Sequence, residues 1–316
     1  MHIPMHTFPI DEKHQIVDYA TRRIPNKYAQ YLDLDRGSNY TLRTLYTFAL
    51  EYIIYSLLHQ LEDNQKECIA ATQLLIQSDT LQYLSLFDPS IPDYSYIGNQ
   101  RVVVHKDNDS SPISLFYWQI ICQSERIRNI LLDNDYHPFL ATRGPVSDYR
   151  HAHYEFLLLM LWHRWDEALR YLSTVDIAYE KQAPWYRKVA NLYPDFHWPL
   201  WRAFLTNKEE DFNDTLVDCL KQFRKYWSST SFRSNAIEGH FALEITAIIK
   251  LAMLRGYTIP TTSDYTPTFF TDPSFQLDID TRLSWYFTPK KINSAPPLDL
   301  EKLVQENRKR NQEKKK

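Results

Sequence analysis

Residues 209–227 read EEDFNDTLVDCLKQFRKYW. Phe212, Leu216, Leu220, Phe223 and Tyr226 recur at three- and four-residue steps, so on a helix they form one apolar stripe. Working downstream, a second helix is predicted from about Ala236 to Arg255. It stops at Gly256, the residue type that takes the left-handed conformation after a helix end. Upstream, Pro199, Pro194 and Pro184 divide an aromatic-rich stretch into short helices, because proline is tolerated at helix starts and not in interiors. Arg164 to Leu172 reads as a further helix. Before it, Ser147-Asp148 opens one carrying Tyr154, Phe156, Leu157, Leu158, Met160 and Leu161, apolar on nearly every face and therefore central.

The N-terminal half follows the same logic. A helix is predicted from Asn39 to about Leu61 through Leu42, Leu45, Tyr46, Ala49, Ile53 and Leu57. Another covers Lys66 to Gln77, and Ser78-Asp79 caps a short one running to Phe87. Ser110-Ser111-Pro112 leads into a helix from Ile113 to Leu132. Between Asp88 and Ser111 the chain turns polar and irregular, and Arg101 to His105 is its best strand candidate, short and isolated. The expected fold is all-α: a single multi-helix domain of antiparallel helix pairs, of which solenoid or tetratricopeptide-like packing is one form. At most a minor strand or hairpin is expected near 96–106. The expected organisation is a polar N-terminal segment over 1–38 with one short helix near Asp11 to Arg23, a helical domain over 39–297, and a charged tail over 298–316, expected to be disordered.

Composition narrows the function. Only 5 of 316 residues are Gly, too few for the phosphate-cradling turns of nucleotide-binding folds or the hairpins of an all-β protein. Cys68, Cys122 and Cys219 are odd in number and far apart, so no disulfide framework or zinc knuckle can be drawn. No secretory signal or membrane-length apolar run is visible, and a cytoplasmic location is the expectation. The net charge is −3, but residues 301–316 carry seven Lys/Arg against three Glu, so that +4 tail leaves −7 on the first 300 residues. An acidic body disfavours a nucleic-acid partner and suits a basic protein.

Few side-chain groupings suggest chemistry. His151 and His153 stand two apart with Glu155 nearby, but on a helix two-residue neighbours face different ways, so a shared metal ion is disfavoured and surface histidines at a helix start are expected. His240 and Glu244 are four apart on the predicted 236–255 helix and suit a metal half-site, an acid/base pair or an ordinary hydrogen bond. No nucleophile elbow, P-loop or paired zinc motif is present. The expectation is a protein without catalytic residues, metal or cofactor. The tryptophans between Trp162 and Trp201, with Tyr186 and Tyr193, lack an accompanying basic patch and read as helix–helix packing.

An ordered set of motifs sharpens this picture. Asp211-Phe212-Asn213 opens the 209–227 helix and Tyr226-Trp227 ends it. Gly239 follows, then Ala252-Met253-Leu254-Arg255-Gly256 and Ser263-Asp264-Tyr265-Thr266-Pro267. In order and spacing, the set resembles the C-terminal half of the immunity protein 49 family of bacterial polymorphic toxin systems. The resemblance implies an all-helical inhibitor, encoded beside a toxin and blocking it by direct binding; it implies no catalytic residues. Phe212, Asn213, Tyr226, Trp227, Gly239, Arg255, Gly256, Ser263, Asp264, Tyr265 and Pro267 would be structural. The competing readings are a helical scaffold for a partner other than a toxin and, behind it, a metal-dependent enzyme. Arg164 to Leu172 and Asp211 to Phe223 each resemble one helix of a tetratricopeptide unit, but their spacing is not a multiple of about 34 residues. Candidate partner-binding residues are Asp88, Asp93, Tyr94, Tyr96, Asp107 and Asp109 in the long loop, with Glu209 and Glu210 as the competing cluster.

Overall fold

A computed structural model describes residues 1–6, 113–134, 136, 147–180, 197–234 and 237–277, together with 40–41, 94–97, 100–103 and isolated positions between 50 and 86. The chain divides into two compact units, one comprising Met1–His6 with Ser111–Asp278 and the other Thr7–Ser110 with Ile279–Lys316. The fold is all-α with minor strands. No described helix is long and apolar enough to cross a membrane.

In the second unit, β2 (Tyr40–Thr41), β3 (Tyr94–Ile97) and β4 (Gln100–Val103) form a small sheet in the order β2-β4-β3. The predicted strand at Arg101 is therefore not isolated. It pairs antiparallel with β3, placing Tyr96 opposite Arg101, and parallel with β2, placing Tyr40 opposite Val102. The expected helix from Asn39 is corrected at its start, since Tyr40 and Thr41 are extended; both are residue types that favour strands. Leu50, Ile53, Leu75, Ile76 and Tyr83 are helical and buried; of these, Ile53 and Leu75 are positions of the predicted apolar stripes.

The first unit is a set of helical hairpins. α1 (Ile113–Cys122) turns into α2 (Glu125–Asp133), α3 (Ser147–Leu161) into α4 (Trp165–Glu180), and α5 (Trp198–Leu205) into α6 (Glu209–Trp227). Each corner has one non-glycine residue in the left-handed region: Gln123 at φ 50°, His163 at 57° and Asn207 at 59°. Asn and His tolerate that region better than most residues. The predicted single helix from Ile113 to Leu132 is thus two helices. Gln123 breaks it, and Ser124 restarts it by accepting a bond from the Ile127 amide at 3.3 Å. Pro199 sits in the first turn of α5, where its missing N–H costs nothing.

The remaining elements are α7 (Ser231–Ser234), a 3-10 turn at Ile237–His240, α8 (Leu243–Leu254), β5 (Thr262–Ser263) and α9 (Thr268–Thr271). α8 packs against α1, α5 and α9. Its residues from Ile245 to Lys250 are all buried, so it lies in the centre of this unit. α3 is also buried from Phe156 to Leu161, as its apolar run predicts. The predicted helix from Ala236 to Arg255 is interrupted at Phe241-Ala242. There the Ala242 amide bonds the Tyr265 carbonyl at 2.9 Å instead of continuing a helical ladder. Gly256 does close α8, at φ +94°. β1 (His2–Ile3) pairs parallel with β5, joining residues about 260 positions apart in sequence.

Candidate binding surface

The motif residues gather at the two ends of α6. At its start, the Asn213 side chain donates to the Thr258 carbonyl at 3.0 Å, and Glu209 accepts from the Thr258 amide at 2.9 Å. The buried Phe212 ring meets Tyr257 edge-on at 5.6 Å. Arg255 donates to the Phe204 carbonyl at 2.8 Å and lies 4.0 Å from the centre of the Phe204 ring. The Asp-Phe-Asn and Arg-Gly-Tyr pieces therefore bind one another. At the far end, Gly239 lets α6 close: a Cβ there would stand 2.7 Å from the Trp227 indole.

Ser263, Asp264 and Tyr265 hold the N-terminal strand. The Ser263 hydroxyl donates to the Ile3 carbonyl at 2.8 Å. Asp264 accepts from the Met5 amide at 2.9 Å, and the Tyr265 hydroxyl accepts from the His6 amide at 2.7 Å. The His6 ring lies 4.8 Å from the ring of His240. Burial lowers the His6 pKa and pushes that of Tyr265 up to about 12. Nothing in the sequence pointed to residues 1–6 as part of this unit.

These motif side chains make contacts within the unit, and further exposed carboxylates lie along α6. Glu209, proposed as a contact residue, is committed to Thr258, whereas Glu210 is exposed and forms no ion pair among the described residues. Asp211 pairs with Lys208 at 3.5 Å. Asp214 and Asp218, three and seven residues after Asp211, extend an exposed acidic stripe along α6 and have no ion-pair partner among the described residues. Beside the stripe, a groove of about 550 Å³ is bounded by Asp176, Trp198, Arg202, Thr206, Asp211 and Thr215. An exposed Arg202–Asp176 pair at 2.7 Å crosses from α5 to α4, and Trp198 is fixed by donating to the Tyr149 hydroxyl at 2.7 Å. Of the loop candidates, Tyr94 and Tyr96 lie in β3, while Asp88, Asp93, Asp107 and Asp109 fall outside the described residues.

The histidine pairs do not assemble a metal centre. His151 and His153 are on α3, and His153 is buried rather than a surface residue. Its Nε2 stands 3.1 Å from the Tyr117 hydroxyl, and its ring stacks on His197 at 5.4 Å. Burial lowers the His153 pKa to about 3 and that of His197 well below its ordinary value. His240 ends a 3-10 turn and Glu244 begins α8, so they do not share one helix face; desolvation raises the Glu244 carboxyl's pKa. No group of three or more His, Cys, Asp or Glu among the described residues is arranged to hold a metal ion.

A buried lysine escaped the sequence reading. Lys250 is enclosed in the middle of α8, donating to the Asp272 carbonyl and, at 2.9 Å, to the Phe275 carbonyl. Burial pulls its pKa down to about 8. With Gln123, which donates to the Pro273 carbonyl at 2.9 Å, it secures the chain after α9. The signal was available: a single cation interrupts the apolar run IIKLAML at 248–254.

The architecture defines an all-α protein of packed helical hairpins whose described surface shows an acidic stripe beside a groove. A family model described as Immunity protein 49 matches residues 56–270, and the chain belongs to that family. No curated protein and no solved structure matches it.

Proposed function

We propose that this protein is the immunity partner of a bacterial toxin and neutralises it by direct occlusion, without catalysis of its own. The observation that carries the reading is the family match over residues 56–270. The acidic stripe of α6 supports it. Glu210, Asp214 and Asp218 are exposed carboxylates without counter-ions among the described residues, and such groups attract a basic partner and speed its capture. The groove between α4, α5 and α6 adds a half-buried tryptophan as an anchor for that partner. The loop acids Asp88, Asp93, Asp107 and Asp109, with Tyr94 and Tyr96, are the competing candidate contact, on the other unit.

Co-expression tests this directly. Cells producing the toxin encoded beside this chain should grow only when the chain is present. The Asp214→Lys/Asp218→Lys variant should protect less well while unfolding at the same temperature. Growth arrest that the wild-type chain does not relieve would refute the reading.

A further inference from the structure

The second half of α6 carries charge that the core does not use. Lys221, Arg224 and Lys225 are exposed, and none forms an ion pair among the described residues although Asp218 stands three positions before Lys221. The three cations form one wall of a groove of about 430 Å³, and Met1–Pro4 form the other. The helix macrodipole favours cations in a last turn, which accounts for Arg224 and Lys225, but the effect fades within that turn and leaves Lys221 unexplained.

The opposite wall is a strand with one edge unused. The Met1 and Ile3 carbonyls accept bonds from the Thr262 and Asp264 amides at 2.9 and 3.4 Å, so they point toward β5. Main-chain groups of successive residues point to alternate edges of a strand, which directs the His2 N–H and C=O away from β5. No described strand pairs with that edge, and no β5 residue lines the groove. An open strand edge is a template for an incoming extended chain.

We propose that the groove between β1 and α6 binds an extended acidic segment of a protein partner. The segment adds as a strand to the outer edge of β1 and sets its carboxylates against Lys221, Arg224 and Lys225. A long polyanion is a poorer occupant. The −7 carried by the first 300 residues repels it as a whole, whereas a short segment lies within about one Debye length, roughly 8 Å, of the cations. The inference goes beyond toxin neutralisation and holds whatever protein supplies the segment.

Fluorescence polarisation on the full chain tests it with a labelled alternating Val-Glu hexapeptide. The probes for comparison are its Val-Lys counterpart, the acidic peptide N-methylated at each valine, and a single-stranded oligonucleotide of equal charge. The acidic peptide should bind, weaken as salt rises, and lose affinity when its amides are methylated. Lys221→Glu/Lys225→Glu should reduce its affinity by on the order of tenfold and reverse the preference toward the lysine peptide, with an unchanged thermal melt. Absence of acidic-peptide binding, equal binding by the swapped variant, equal binding of the methylated peptide, or tighter binding of the oligonucleotide would each overturn the proposal. Toxin protection is scored separately, so failure here leaves the immunity reading intact and failure there leaves this one intact.

Discussion

Acidification should unfold this protein through two stacked histidines. His153 and His197 are both buried, and the His197 Nε2 has no hydrogen-bond partner among the described residues, so a proton added there brings a charge that none of them receives. In the unfolded chain both titrate near the ordinary histidine value of about 6.5. In the folded chain burial holds both lower, His153 at about 3. Below pH 6.5 the unfolded state therefore binds more protons than the folded state, and stability falls as pH falls, until the folded-state pKa is reached. Taking His153 from pH 7.5 to pH 5 costs about 2 kcal/mol, and His197, shifted in the same direction, adds to the loss. Urea unfolding followed by tryptophan fluorescence at pH 7.5, 6 and 5 measures this loss. The matched control is His153→Gln/His197→Phe, in which Gln keeps an acceptor for Tyr117 and Phe removes the unpaired nitrogen. The double variant should lose at least about 2 kcal/mol less than the wild type on acidification. An equal loss in the two proteins would refute the reasoning.

Other perturbations follow from local geometry. Gly239→Ala pushes a methyl group into the Trp227 ring and should destabilise by about 1–3 kcal/mol in a urea titration at pH 7.5. Lys250→Met keeps the volume but removes one of two donors from each carbonyl, leaving Asp272 with the Phe275 amide and Phe275 with the Gln123 side chain. It should cost about 1–3 kcal/mol in all, the net value of charged hydrogen bonds rather than of orphaned acceptors, and expose the segment after α9 to early proteolysis. His163→Gly relieves the left-handed strain at an exposed hairpin corner and should raise the melting midpoint, by about 1 kcal/mol or less of stability.

Much of the helical architecture was legible because burial on one face leaves a period. α6 begins and ends where its stripe and first-turn acids place it, and Gly256 closes α8 because few other residues take that conformation cheaply. The hairpin corners were harder to read. Gln123, His163 and Asn207 do the work usually given to glycine, so the helix from Ile113 looked continuous. The break at Phe241-Ala242 was hidden for another reason. It depends on a bond to Tyr265, a tertiary contact that leaves no local signal. β1 is two residues long and exists only because Thr262 and Ser263 lie beside it, which no window of sequence can show.

The candidate site divides along the same line. The motif from Asp211 to Pro267 pointed to the family, yet its side chains hold α6, the 255–258 turn and the N-terminal strand together. The acids of α6 were visible as a cluster, but only the structure separates Glu209, bonded to Thr258, from Asp214 and Asp218, which carry no ion pair among the described residues. The basic groove was invisible, since one of its walls is the N-terminal strand.

The central claim is neutralisation by direct binding. The most direct test is to titrate the proposed partner, a purified toxin domain, with the purified protein, following toxin activity and complex mass together. The account predicts that activity disappears at a fixed stoichiometry as a complex forms, with no modification of either chain. Full toxin activity in the presence of excess protein, with no complex detected, would contradict it.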